Sequence, residues 1–391
     1  MKELQETPPE RLMNHNLVER KFDIYINEPF QSGKELTFLK EALDNNWLST
    51  EGEQIQFFEQ QLKNYINVEH LTLTNSGTSA LHLALITLGI KEGDFVICQS
   101  FSFVASANPI LYQKAIPVFV DSEEETWNMD PDFLREAIEY CLRKGKKPRA
   151  IIMVHTYGIP AKINKIKSIC REYEIPLIED AAEALGSTYF DQPAGSLGDL
   201  SILSFNGNKI ITSTSGGALI AQNDEIIRMA RLVSNQSKDE NNPHNHVRLG
   251  FNYKMSNICA AVGRAQMHDL DKRVTRKREI FQLYKTLLSD CKEIQFQGEE
   301  ERSISNRWVT TLTANRKNFN KIITEKLLKY KIESRYLWKP IHLIPYFKEF
   351  SFFGDQTCGR LHDCGVALPS GLGLAQSEQE RIAELIYQEL K

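Results

Sequence analysis

Between Phe95 and Glu179 the chain repeats one pattern, and that pattern leaves few folds open to it. Short, nearly continuous apolar runs (Phe95–Cys98, Pro117–Val120, Ala150–His155, Pro176–Glu179) alternate with amphipathic segments (Phe103–Tyr112, Pro131–Arg143, Lys162–Tyr173). Apolar runs without polar alternation predict strands covered on both faces, and their regular separation by helices predicts an α/β layer on a mainly parallel sheet. In such sheets ligands gather at the carboxyl ends of the strands, so the residues that close each run become the candidates for chemistry.

Asp180 closes the strand Leu177-Ile-Glu-Asp, and Glu183 follows it. His155 and Tyr157 lie just past another strand end, and Phe103 opens a helix after a third. Upstream, Leu71 to Leu85 reads as strand, Gly/Ser/Thr turn and helix, with a cap near Thr78. Free backbone N–H groups at a helix start, with hydroxyls beside them, suit a phosphate. Downstream, Ser204-Phe-Asn-Gly-Asn-Lys209 delivers one lysine after an apolar run and a turn. Partial desolvation lowers an amine below its free value of about 10.4 and permits Schiff-base chemistry. Taken singly, Phe103 reads as core, Asp180 as a helix cap and Ser204 as a turn residue. Together they supply a phosphate cradle (Gly77, Thr78, Ser204), an aromatic face (Phe103), a carboxylate for a ring nitrogen (Asp180) and an amine for an aldehyde (Lys209). A pyridoxal phosphate enzyme needs that set. Trp47, in the loop Asn46–Gly52, reads either as pocket lining or as cement between the flanking helices Lys34–Asn45 and Gln54–Tyr65.

A chain of 391 residues is long enough for two cores. An N-terminal extension is expected over 1–22, a large domain over 23–270 and a small C-terminal α+β domain over 271–391. In the last, Arg307–Ala314, Ile332–Ser334 and Val366–Leu368 read as strands, and Arg273–Leu288, Phe319–Tyr330 and Gln376–Leu390 as helices. A net charge of −4 gives no general attraction to nucleic acid or anionic lipid. The polar start, with Pro8-Pro9, and the lack of a long apolar run predict neither signal peptide nor membrane span, hence a cytoplasmic protein. Seven scattered cysteines fit a reducing compartment. Cys358, His362 and Cys364 lie close together but offer no fourth ligand, so no metal is expected.

Five stretches carry a resemblance: Asn75-Ser-Gly-Thr-Ser-Ala-Leu81, Phe101-Ser-Phe-Val-Ala-Ser-Ala-Asn108, Glu179-Asp-Ala-Ala-Glu-Ala-Leu-Gly186, Ser204 to Lys209, and Gly250-Phe-Asn-Tyr-Lys-Met-Ser-Asn257. They resemble the serial motifs of the DegT-type nucleotide-sugar aminotransferases, and the similarity runs from about Ile24 to the C-terminus. The resemblance implies fold type I and a homodimer with shared active sites. It makes Lys209 the Schiff-base lysine, Asp180 the partner of the pyridine nitrogen, Phe103 the stacking residue, and Gly77, Thr78 and Ser204 the phosphate holders. Asn252 would reach that phosphate from the neighbouring subunit. Glu183 stands near the ring oxygen, where many relatives carry Gln or His. Lys254 replaces the family's usual Arg, so a bidentate contact there would be lost.

The resemblance is greatest to enzymes that aminate C4 of a UDP-linked 4-keto-6-deoxy-N-acetylhexosamine, through Ser305-Asn-Arg-Trp308, Glu333 to His342 and Leu368-Pro-Ser-Gly371. It implies glutamate as amino donor, a product of the UDP-4-amino-4,6-dideoxy-N-acetylglucosamine type for bacterial surface glycans, and Arg335, Trp338, Lys339 and His342 as walls of the sugar-nucleotide site. Small-domain packing and surface charge are the alternative reading of those four. The rivals are a dehydratase of the same family, which carries His in place of Lys209, and a non-catalytic module that keeps the cofactor pocket. A nicotinamide oxidoreductase would need a Gly-x-Gly-x-x-Gly turn that Asn75 to Ala80 does not provide.

Overall fold

The computed structural model describes residues 20–239, 241–242 and 244–391. Most of the expected extension, residues 1–19, lies outside them. One eight-stranded sheet organises the molecule, in the order His70–Thr74, Gly217–Ala221, Leu200–Ser204, Leu177–Asp180, Ala150–Val154, Phe95–Gln99, Ile116–Val120, Phe352–Phe353. From Leu200–Ser204 to Phe352–Phe353 the strands are parallel, whereas Gly217–Ala221 runs antiparallel to both its neighbours. The sheet is therefore mixed at one edge. At its centre Val154 pairs with Asp180, and Asp180 with Ile202, so three strand ends converge.

Both faces are covered, as the unbroken apolar strands require. The buried helix Gly77–Thr87 packs on one side with Val96, Ile152, Ile178 and Leu219. Pro131–Arg143 and Ile163–Glu172 pack on the other with Ile97, Ile151 and Met153. The helix expected over Phe103–Tyr112 is instead a helical turn, Val104–Ser106, followed by a short helix, Asn108–Tyr112. Pro109 accounts for the break, since it has no N–H to donate back to the preceding turn.

A second sheet has the order Ile294–Phe296, Thr310–Ala314, Gly365–Leu368, Arg335–Tyr336. Helices Leu270–Leu287, Phe319–Lys329 and Gln376–Leu390 close a core over it with Tyr284, Leu312, Phe319, Val366 and Ile382. Its first long strand starts at Thr310, not Arg307, because Arg307 takes a left-handed φ of 49°. Ile332 makes only an isolated bridge to Ile24, and pairing resumes at Arg335. Phe352–Phe353 leaves this region to join the large sheet beside Ile116–Val120. Among the described residues no helix is long and apolar enough to cross a membrane, and no three His, Cys, Asp or Glu side chains group as metal ligands would.

Candidate active site

A cavity of about 420 Å³ opens at the carboxyl ends of the central strands. Gly77, Thr78, Phe103, Asp180, Glu183, Ser204, Lys209, Arg335 and Trp338 all border it. These residues come from far-apart parts of the chain, and the sheet register brings them together.

One end is built by the helix Gly77–Thr87. Its cap is Ser76, whose extended backbone (φ −165°) lets its side chain accept from Ser79 N–H, and not Thr78 as the sequence suggested. The shift matters, because it puts Gly77 and Thr78 in the first helical turn, where backbone N–H groups lack intrahelical partners. A Cβ on Gly77 would stand 3.0 Å from Ser204 Cβ, and one on Gly217 only 2.5 Å from Gly77 N. Two glycines thus let strand, turn and helix start close together, leaving a cradle that side chains would fill. Ser204 and Ser215 border the same end, and the helix dipole favours an anion there.

Asp180 is buried deeper in the cavity. Its Oδ2 accepts from Ser106 Oγ at 2.7 Å and its Oδ1 from Ala182 N–H at 3.1 Å. Ser106 in turn bonds Ser102 Oγ at 2.8 Å. Burial raises the Asp180 pKa, with these hydrogen bonds and the Lys209 charge acting against it. Lys209 Nζ lies 3.3 Å from Glu183 Oε1 and 4.3 Å from the centre of the Trp308 ring. Glu183 Oε2 accepts from Tyr157 N–H at 2.7 Å, a contact made possible by Tyr157's left-handed φ of 56°. Burial pushes the Glu183 carboxyl up, while Lys209 draws it down. The amine therefore faces two buried carboxyl groups whose charge is costly unless a cation is present.

An aromatic rank leads from the mouth to the amine. Phe103, 52% exposed, tilts against Trp338 at 5.3 Å; Trp338 stacks on Tyr157 at 5.6 Å, and Tyr157 on Trp308 at 6.3 Å. Arg335 borders the cavity while its guanidinium bonds Glu333 Oε1 at 3.0 and 2.7 Å.

Four sequence candidates are not at this cavity. His342 is a core residue: its Nδ1 bonds Ser100 Oγ at 2.7 Å, its ring stacks on Phe352 at 3.7 Å, and burial pushes its pKa down to about 4. It is no cavity wall, because Phe352–Phe353 joins the large sheet and covers it. Lys339 is exposed and does not line the cavity. Trp47 lines a different cavity of about 670 Å³ together with Glu51, Arg231 and Lys254. Asn252 is exposed, and its carbonyl accepts from Asn75 Nδ2 at 3.1 Å, next to the helix start but outside the cavity.

Ser106, Tyr157 and Trp308 are further site residues that the sequence reading does not single out for the cofactor. Ser106 and Trp308 lie within motif stretches and Tyr157 just past a strand end, so position points to all three. Their partners did not follow from position.

The residues present fit pyridoxal phosphate. Lys209 offers an amine for its aldehyde, Asp180 a carboxylate for its ring nitrogen, and the glycine cradle a place for its phosphate.

The family model described as DegT/DnrJ/EryC1/StrS aminotransferase matches residues 30–387. EpsN of Bacillus subtilis (strain 168), described as a pyridoxal phosphate-dependent aminotransferase, is 43% identical over 93% of this chain and 95% of its own. GDP-perosamine synthase of Escherichia coli O157:H7 is 34% identical, over 93% and 97%. Among solved structures, a DegT/DnrJ/EryC1/StrS aminotransferase from Brucella abortus superposes with a TM-score of 0.86 at 26% identity, over 91% of this chain and 95% of that one.

Proposed function

The chain belongs to the DegT/DnrJ/EryC1/StrS aminotransferase family, whose members depend on pyridoxal phosphate, and from that premise we propose that it transfers the amino group of glutamate to C4 of a UDP-linked 4-keto-6-deoxy-N-acetylhexosamine. The observation that carries the reading is the convergence of Lys209 Nζ, Asp180 and the Gly77 helix start in one cavity. When bound, pyridoxal phosphate supplies the aldehyde that takes up the amino group and a ring that withdraws electrons. Lys209 Nζ would hold the cofactor and would move the proton at the substrate carbon, a role worth about 10²–10⁴ in rate. Asp180 keeps the ring nitrogen protonated, and Ser106 and Ala182 N–H orient its carboxylate. Glu183 holds the Lys209 amine, and Phe103 would stack on the ring. Gly77 and Thr78 N–H groups with the Ser204 hydroxyl hold the phosphate.

The sugar nucleotide is assigned to the wall formed by Arg335 and Trp338, a cation for pyrophosphate and an aromatic for a ring face. The UDP-linked N-acetyl sugar rests on the sequence stretches around Trp308, Trp338 and Ser370. A GDP-linked substrate is the second reading, favoured by the Escherichia coli relative.

A homodimer belongs to the proposal, with Asn252 reaching the phosphate of the neighbouring site. Exposed Leu36, Leu43, Trp47, Leu48 and Phe57 on the first two helices and their loop supply an apolar surface for it. The proposal also keeps 23–270 as the cofactor domain, 271–391 as the small domain apart from the strand Phe352–Phe353 in the large sheet, and a cytoplasmic setting suited to free thiols.

The test is incubation of the pure protein with glutamate and a panel of UDP- and GDP-linked 4-keto sugars, with the product read by NMR. Lys209→Ala is expected to abolish turnover and the cofactor's protein-bound absorbance. Retention of both would remove the assignment, and turnover of GDP sugars alone would select the second reading.

A further inference from the structure

We propose that Lys277 is a positioning residue for Lys209, a buried ammonium that fixes the peptide bond leading into it. The inference rests on the reading of Lys209 as the cofactor lysine.

Lys277 lies on the helix Leu270–Leu287, and its side chain is fully buried. Its Nζ donates to Asn27 Oδ1 at 2.6 Å, to the Trp308 carbonyl at 2.9 Å and to the Ser370 carbonyl at 2.5 Å. An ammonium has three protons, and each meets an oxygen. Two of these three partners hold one further atom in common. Asn27 Nδ2 and Trp308 Nε1 both donate to the carbonyl oxygen of Asn208, each at 2.6 Å. That carbonyl belongs to the peptide group joining Asn208 to Lys209.

The turn is closed by Lys209 N–H donating to the Asn206 carbonyl at 3.0 Å, and Phe205 before it is anchored by Ser213 N–H at 2.9 Å. Gly207 has open space where a Cβ would project, and Asn206 is exposed. Beyond those bonds, the peptide leading into Lys209 is tied to the rest of the protein at the Asn208 carbonyl, through two donors gripped by the same ammonium. The Trp308 ring, placed by the same contacts, lies 4.3 Å from the Lys209 amine. Lys277 thus reaches Lys209 from two directions, through its backbone and through the ring beside its Nζ.

A packing role alone explains Lys277 poorly. No carboxylate of the described residues is within ion-pair distance of it. Burial pushes its pKa down to about 7, and Arg273, one turn earlier, adds to this. An apolar side chain of similar length would fill the space without that cost. What it could not do is donate to three fixed oxygens.

The experiment uses full-length Lys277→Met, Asn27→Ala, the double variant and Lys209→Ala. Each apoprotein is mixed with pyridoxal phosphate and reduced with borohydride at timed intervals, and the modified peptides are quantified by mass spectrometry. Steady-state kcat and KM are measured on the loaded enzymes. Small displacements of a reacting group cost up to about 10²-fold, so Lys277→Met and Asn27→Ala are expected to label Lys209 about tenfold more slowly and to lose kcat about tenfold, with KM within about twofold. The double variant is expected to be no slower than Lys277→Met, because both residues act through one carbonyl. Labelling of Lys209 at the wild-type rate in Lys277→Met overturns the proposal, as does that result in Asn27→Ala should Lys277→Met fail to fold. Losses that multiply in the double variant overturn the shared route. Lys209→Ala separates the two readings: undiminished labelling in that variant removes Lys209 as the cofactor lysine, whereas its loss, with normal rates in Lys277→Met, removes only the positioning role.

Discussion

Glu179→Gln is expected to destabilise the protein by about 2–6 kcal/mol, because it leaves buried hydrogen-bond donors unpaired. Glu179 is fully buried and accepts five hydrogen bonds. Oε1 takes His155 Nε2 at 2.9 Å and Gly195 N–H at 2.6 Å; Oε2 takes Leu197 N–H at 2.7 Å, Gly198 N–H at 2.9 Å and Ser201 Oγ at 2.7 Å. His155 cannot adapt, because its Nδ1 accepts from Ala161 N–H at 3.0 Å, which puts the proton on Nε2. A glutamine amide group would face at least two N–H donors whichever way it turned. Unmade buried hydrogen bonds cost about 1–3 kcal/mol each, so two alone give about 2–6 kcal/mol.

The assay is equilibrium denaturation of both proteins across pH. Burial alone would push the Glu179 pKa up, but the hydrogen bonds from His155, Gly195 N–H and Ser201 bring it below the usual carboxylate value. A depressed folded pKa gives stability that is fully present above the ordinary value of about 4.3 and lost as pH falls through the folded one. Once protonated, Glu179 resembles glutamine, so the gap between the two proteins should close in acid. A gap under about 1 kcal/mol at pH 7, or one that does not close in acid, refutes the argument. Adjacent strand residues face opposite sides, so Asp180 stays in the cavity while Glu179 anchors the loop behind it.

Gly217→Ala should weaken cofactor binding, because its Cβ would lie 2.5 Å from Gly77 N and 2.6 Å from Ser76 O, forcing the helix start away at a cost of about 1–3 kcal/mol. Gly373→Ala, with nothing within 4 Å, is the control, and equal cofactor dissociation constants for the two would refute the cradle. His342→Gln should lower stability by about 1–3 kcal/mol through loss of its bond to Ser100, with KM for the sugar unchanged; a tenfold rise in KM without loss of stability would return it to the substrate wall. The depressed His342 pKa, about 4, means the unfolded chain binds the proton first, so this residue costs stability as pH falls from its ordinary value of about 6.5 toward 4. Thermal midpoints of wild type and His342→Gln between pH 7 and 4 check this, since the variant should lose less.

Some of this protein was legible in the residues alone. Strands covered on both faces must be apolar throughout, and amphipathic helices must repeat on one side, so the α/β layer is written locally. Asp180 and Lys209 could be found because each follows a strand end, where such sheets place their ligands. His342, four residues from Trp338, lies in a similar stretch, and only the pairing of Phe352 with Phe119 buries it. In sequence Lys277 is one cation among Lys272, Arg273, Arg276 and Arg278, although it falls on the stripe of Leu270, Arg273, Ile280 and Tyr284 that faces inward. Whether a residue on that stripe is core or part of a polar network depends on oxygens contributed by Asn27, Trp308 and Ser370. By itself the sequence determined the layers, the strand ends and the types of group available at them. Tertiary structure decided which of those groups meet, because hydrogen bonds act over about 3 Å and the partners here are far apart along the chain.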